Sequence, residues 1–138
     1  MGLLDDIDEI LIPEEALRGR VRELGQQISK DYEGKEPLLV GILTGAVLFM
    51  SDLLRAISIH CQVDFMATSS YADGTTSSGI VRILKDLSSA IAGKDVLIVE
   101  DIIDTGLPLN YLLRYLRGKN PNTLRICALL DKPARRLV

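Results

Sequence analysis

Apolar residues along this chain recur with two spacings in turn, short unbroken runs and helical periods, which predicts strands feeding helices. Leu17, Val21, Leu24 and Ile28 fall on one helical face. Pro13 suits the first position of that helix, Glu14 and Glu15 favour its N-terminal dipole, and it should stop near residues 32–34. The run 37–43 predicts a buried strand, and Thr44-Gly45 then turns the chain into a second helix faced by Ala46, Phe49, Met50, Leu53 and Ile57. Residues 60–67 and 81–84 read as two further strands, and 9–12 as a short edge strand. The run 96–99 is too short for a helix and rich in β-branched residues, so it reads as a buried strand. Leu109, Leu112, Leu113 and Leu116 recur at i, i+3, i+4 and i+7 and predict a third helix, with Gly118 as its C-cap and Pro121 beyond it. Residues 123–130 read as a last buried strand. Strands alternating with helices give an α/β layer fold with a mostly parallel central sheet.

With 138 residues the chain fits one domain, 1–138, that can bury one core. It is 47% hydrophobic and 25% charged, as expected of a globular protein. A net charge of −3 argues against a general nucleic-acid or membrane-surface binder. No apolar run approaches a membrane span, and the acidic N-terminus is unlike a signal peptide. Cys61 and Cys127, without C-x-x-C spacing, read as reduced core thiols rather than a disulfide or zinc site. A cytoplasmic domain is the expectation. Arg18, Arg20 and Arg22 read as a solvated helix face, and the one histidine, His60, as structural.

Polar residues gather where strands should end: Glu100-Asp101 with Asp104, Thr44-Gly45, and Lys132. In a parallel sheet these converge on one edge, where α/β folds place their ligand crevice. The turn at Asp104, Thr105 and Gly106 opens a helix, and its N–H groups suit an anion. Adjacent carboxylates beside such a turn call for a positive or hydroxyl-rich partner, such as Mg²⁺ bridging to phosphate or a sugar. Merely solvated acidic strand ends are the plainer reading. Residues 68–79, T-S-S-Y-A-D-G-T-T-S-S-G, form a hydroxyl-rich stretch long enough to be either a functional cover or disordered.

Four ordered motifs resemble the type I phosphoribosyltransferase family across essentially the whole chain. V-L-I-V-E-D-I-I-D-T-G (96–106) resembles its phosphoribosyl-pyrophosphate signature, and E-D-I-I-D-T-G its hypoxanthine-guanine branch. The stretch 63–87 is similar to the family's catalytic loop, 41–55 to its pyrophosphate loop, and L-L-D-K-P-A-R-R (129–136) to its purine-contacting strand end. The resemblance implies a Rossmann-like open, mostly parallel sheet flanked by helices. It also implies Mg²⁺ as cofactor, phosphoribosyl pyrophosphate with hypoxanthine or guanine as substrates, and a homodimer or homotetramer.

By the same resemblance, Glu100 and Asp101 hold the ribose hydroxyls, directly or through Mg²⁺, and Asp104 accepts a proton near purine N7. Residues 104–107 (Asp104, Thr105, Gly106, Leu107), with Pro108 closing the loop, wrap the 5′-phosphate. Thr44-Gly45 faces the pyrophosphate after a cis Leu43–Thr44 peptide. Ser70 and Tyr71 close over the reacting centre, and Lys132 donates to the purine 6-oxygen. Two departures follow. The family usually carries Thr at the position of Pro108, and proline lacks both the hydroxyl and the backbone N–H. The family's chain also continues past the position of Val138, with a stacking aromatic, an aspartate for Mg²⁺ and an arginine for pyrophosphate, so the purine hood is absent from this sequence. The sequence thus supports a Mg²⁺-dependent purine phosphoribosyltransferase with weak or residual activity, with a non-catalytic phosphoribosyl-pyrophosphate or nucleotide-binding core as the alternative.

Overall fold

The computed structural model describes residues 13–70, 81–103 and 106–131. In chain order they form α1 (Glu14–Asp31), β1 (Leu38–Leu43), α2 (Val47–Ala56), β2 (Gln62–Ser70), β3 (Val81–Lys85), β4 (Asp95–Ile103), α3 (Leu107–Arg117) and β5 (Thr123–Asp131). The sheet runs β3-β2-β1-β4-β5. Strands β2, β1, β4 and β5 are parallel, and β3 is antiparallel to β2. The fold is therefore the mixed α/β layer the patterning predicts.

The strand pleat sends successive residues to opposite faces, and here each face has its own core. Leu39, Leu97 and Val99 meet Val21 and Ile28 of α1 and Phe49, Met50 and Leu53 of α2. Leu38, Val40, Ile42, Val96 and Ile98 meet Leu112 and Leu116 of α3. A strand covered on both sides needs apolar residues at every position, hence the unbroken runs in β1 and β4.

Gly25 sets the approach of α1 to α2. A Cβ at this position would lie 2.4 Å from the Ala56 Cβ and 2.6 Å from the Ala56 carbonyl oxygen. Ser29 stitches the same crossing: its hydroxyl donates to the Gly25 carbonyl at 2.8 Å and accepts from the Ser58 N–H at 2.9 Å. Gly25→Ala must therefore push two backbones apart. It is expected to cost about 1–3 kcal/mol, read as a lower urea midpoint at unchanged m-value.

Several element limits differ from the sequence reading. Pro13 lies just before the first helical residue, in extended conformation at the N-cap of α1. The strand expected over 60–67 is instead Gln62–Ser70, because Thr68, Ser69 and Ser70 find ladder partners in Ile83, Arg82 and Val81. The strand expected to end at Val99 runs to Ile103, since β5 continues alongside it. Gly118 caps α3 in right-handed conformation, and the left-handed turn residue is Asn120, φ 58°. Asparagine tolerates that region better than most side chains. The edge strand expected over 9–12 lies outside the described residues.

Candidate active site

Strand order reverses between β1 and β4. From β1 the chain crosses by α2 to β2 on one side, and from β4 it crosses by α3 to β5 on the other. The two helices pack on opposite faces of the sheet. The carboxyl ends of β1 and β4 therefore splay apart at a topological switch point, where open α/β sheets bind ligands.

β1 supplies Thr44 and Gly45 to this point. The Leu43–Thr44 peptide is cis, as the family resemblance implies. The turn is held by the Ala46 N–H on the Ile42 carbonyl at 3.1 Å and the Val47 N–H on the Thr44 carbonyl at 3.2 Å. Both Thr44 and Gly45 are exposed, and α2 follows directly.

β4 supplies Glu100 and Asp101. Both lie inside the strand, where Glu100 faces Ala128 of β5 in register. Asp101 lines the cleft beside α1 and α2, and its side chain stays within hydrogen-bonding reach of the Glu100 carboxyl. Asp101 there lies against Gly45: a Cβ on Gly45 would stand 2.9 Å from Asp101 Oδ2 and 3.1 Å from Oδ1. Only a residue without a side chain lets the β1 turn and this carboxylate approach so closely.

The local backbone orients the two acids. The Asp101 N–H donates to Glu100 Oε1 at 3.2 Å, and the Ile102 N–H donates to Asp101 Oδ1 at 2.9 Å. Burial pushes the Glu100 carboxyl up to about 8, reinforced by the neighbouring Asp101 carboxyl, while the Asp101 N–H opposes the shift. Glu100 is thus held in a setting that resists its own negative charge. A cation or hydroxyl donor arriving nearby would offset that cost.

At the start of α3, Gly106 adopts φ 85° at the N-cap, a left-handed conformation natural only to glycine. Leu107 and Pro108 are the first two helical residues, and the Asn110 N–H closes the first turn on the Gly106 carbonyl at 2.9 Å. Proline fits this position without disturbing the helix, because its fixed φ suits the first turn.

Thr44, Gly45, Glu100, Asp101, Gly106, Leu107 and Pro108 thus all lie along the carboxyl edge of the sheet, and Ser70 ends β2 on that edge. Asp104, Thr105, Tyr71 and Lys132 lie outside the described residues. A cleft of about 760 Å³ runs from Gly45 and Asp101 between α1 and α2, past Arg18, Arg22 and Arg55. The sequence reading took Arg18 and Arg22 for a solvated face. They are exposed, and Arg18 pairs with Glu14 at 2.6 Å, but their side of α1 also walls the approach to Asp101. The one signal for this was their four-residue spacing on a single helix face.

Residues 7–138 match the family described as the phosphoribosyl transferase domain. The hypoxanthine-guanine phosphoribosyltransferase of Mycobacterium tuberculosis is 52% identical over 134 residues, covering 93% of this chain and 66% of that protein. The bifunctional protein TilS/HprT of Listeria innocua is 48% identical over 134 residues, which are 97% of this chain and 21% of that protein. Among solved structures, a hypoxanthine phosphoribosyltransferase from Staphylococcus aureus superposes with a TM-score of 0.94 at 48% identity, over 99% of this chain and 74% of that one. The chain thus spans about a fifth of the length of its bifunctional relatives, and two thirds to three quarters of these others. Matched over nearly its whole length in sequence and in backbone, this chain belongs to the phosphoribosyltransferase family, on its hypoxanthine-guanine branch.

Proposed function

We propose that this chain transfers the 5-phosphoribosyl group from phosphoribosyl pyrophosphate to a 6-oxopurine, hypoxanthine or guanine, releasing pyrophosphate. The observation that carries this reading is the apposition of Gly45 and the Asp101 carboxylate at the switch point between β1 and β4. It brings an open backbone turn and an acidic pair to one place, as a ligand with a pyrophosphate beside a sugar diol requires.

Each residue then has a task. Gly106 and Leu107 open a helix N-terminus towards the 5′-phosphate. Glu100 and Asp101 accept hydrogen bonds from the ribose hydroxyls, and Thr44-Gly45 lies along the pyrophosphate. The C1′–oxygen bond breaks, its electron pair leaves with the pyrophosphate, and a purine nitrogen attacks the cationic sugar. Asp104 takes the proton the purine gives up. Lys132 donates to the 6-oxygen. Ser70 and Tyr71 exclude water from the sugar cation.

Among the described residues no group of three or more acidic, histidine or cysteine side chains gathers. A paired Glu100-Asp101 nonetheless fits Mg²⁺, which commonly takes one or two carboxylates and draws its other ligands from water and substrate phosphates. Bound Mg²⁺ supplies charge neutralisation at the leaving pyrophosphate.

We place the chain in the cytoplasm as a homodimer or homotetramer. Among the described residues no helix is long and apolar enough to cross a membrane, both cysteines are free, and Leu48 on α2 is 79% exposed. Light scattering reads the assembly.

The test is direct: protein, Mg²⁺, phosphoribosyl pyrophosphate and hypoxanthine or guanine are mixed, and nucleotide formation is followed. Product above an Asp104→Asn control supports the reading, and none above it sinks it. One feature favours a second reading, a binding core without turnover: Pro108 offers no N–H at the second helical position. A lost contact to a charged phosphate costs about 1.5–3 kcal/mol, so Pro108→Thr is expected to tighten phosphoribosyl-pyrophosphate binding by about tenfold or more in a calorimetric titration. An unchanged Kd would show that position 108 contributes nothing to the phosphate.

A further inference from the structure

The β2–β3 hairpin and helix α3 both reach the candidate active site, but they approach from different sides of the fold. The hairpin carries Ser70 at the end of β2, and α3 carries Gly106 and Leu107 in its first turn. Both are tied to one short segment, residues 85–88, far from those ends.

The hairpin side of the tie is built on Lys85 and Asp64. The Lys85 ammonium donates to the Phe65 carbonyl at 2.7 Å, the Asp86 carbonyl at 3.0 Å and the Ser88 hydroxyl at 3.4 Å, which satisfies its three N–H groups. It also lies 3.6 Å from the Asp64 carboxylate. Asp64, buried in β2, accepts the Phe65 N–H and the Ser88 N–H, each at 2.8 Å. Immediately beyond, the ladder shifts register: Ala67 pairs with Lys85, but Thr68 pairs with Ile83. Such a bulge re-aims the strands that leave it. Asp64 lies about 20 Å along the strand from Ser70, so a small rotation about the Asp64 anchor is amplified at the end of β2.

The helix side is built on Asp86. Its carboxylate accepts the Tyr115 hydroxyl and the Leu87 N–H, and stands 4.0 Å from the Lys119 ammonium. Lys119 also sits over the Tyr115 ring, 4.9 Å from its centroid. Tyr115 is about 13 Å along α3 from Gly106. Leu87 and Ile91 pack into the α3-side core and anchor the segment between the two ties.

We propose that residues 85–88 are a mount that holds the β2–β3 hairpin and helix α3 in one frame, with Lys85 as its central positioning residue. Lys85 touches no substrate in this scheme. It acts by setting where Ser70 and the first turn of α3 stand relative to each other. Only the catalytic readout of this mount rests on the phosphoribosyl-transfer reading.

The test uses Lys85→Met, which keeps the apolar stem and removes the donors, with Lys85→Arg and Tyr115→Phe beside it. Hydrogen exchange is expected to quicken in Lys85→Met at residues 66–70 and 81–84 and also at 106–112, with β1 amides unchanged. Tyr115→Phe should give the same pattern, and the double variant should add little to either single one. Turnover per KM should fall about 10- to 100-fold in Lys85→Met, the scale of a small misplacement, and Lys85→Arg should restore most of it. Exchange confined to one of the two elements, losses that simply multiply, or a rise spread equally over β1 and β4 would overturn the mount. If the wild type forms no nucleotide, the transfer reading fails, and the exchange pattern alone still decides the mount.

Discussion

Gly45→Val lowers the affinity for phosphoribosyl pyrophosphate on the order of 100-fold while the fold stays within about 0.5 kcal/mol of wild type. The reason is geometric. A Cβ at position 45 falls 2.9 Å from Asp101 Oδ2, closer than real Cβ contacts come. The obstacle is the far end of one side chain, so Asp101 can turn away and relieve the overlap. Gly45 is exposed and has no left-handed backbone requirement, so the turn itself tolerates a side chain. What is lost is the carboxylate's aim at the ligand. Calorimetric titration gives the affinity and thermal unfolding the stability. An unchanged affinity would mean that Asp101 does not act from this position.

Glu100→Gln alters how stability depends on pH. The folded-state pKa of about 8 lies well above the ordinary glutamate value of 4.5, chiefly through burial. Below 4.5 both folded and unfolded states hold the proton. Between 4.5 and 8 the unfolded chain releases it and the folded chain keeps it, so stability falls as pH rises through that window and levels off above it. The glutamine variant carries no such slope. At pH 9 it is expected to exceed wild type by on the order of 4 kcal/mol, with the difference shrinking towards zero at pH 4. Parallel urea titrations of the two proteins at several pH values read this. Parallel curves would show that Glu100 ionises freely in the folded chain. A gain in stability from removing an acid at the candidate site fits the common exchange of stability for function.

The parts of the fold that were legible in the sequence are those where local pattern and burial coincide. Val96 to Val99 had to be a doubly covered strand, and Leu112 with Leu116 had to line a helix face. The Gly106 turn was legible because no other residue takes its backbone conformation easily. Long-range pairing was not. Thr68–Ser70 look like loop until β3 offers them partners, and Glu100 looks like a strand end until β5 extends beside it.

The candidate site divides in the same way. Glu100, Asp101, Thr44 and Gly45 stood out as polar residues where strands meet helices. That Asp101 rests on Gly45 with its carboxyl beside that of Glu100 depends on the order β1-β4 and on the local backbone. Neither can be read from spacing. The Lys85 mount left still less trace, because Asp64, Lys85, Asp86 and Tyr115 are scattered residues of ordinary surface type. Their meeting depends on the bulge and on the path of residues 86–94 beneath α3.

Whether phosphoribosyl pyrophosphate lies across the switch point between β1 and β4 is decided by a crystal structure of the chain with that ligand and Mg²⁺. Pyrophosphate is expected along Thr44-Gly45, ribose hydroxyls within hydrogen-bonding distance of Glu100 and Asp101, and the 5′-phosphate at Gly106 and Leu107. Ligand bound elsewhere, for example among Arg18, Arg22 and Arg55 with the Glu100-Asp101 pair untouched, would contradict this placement.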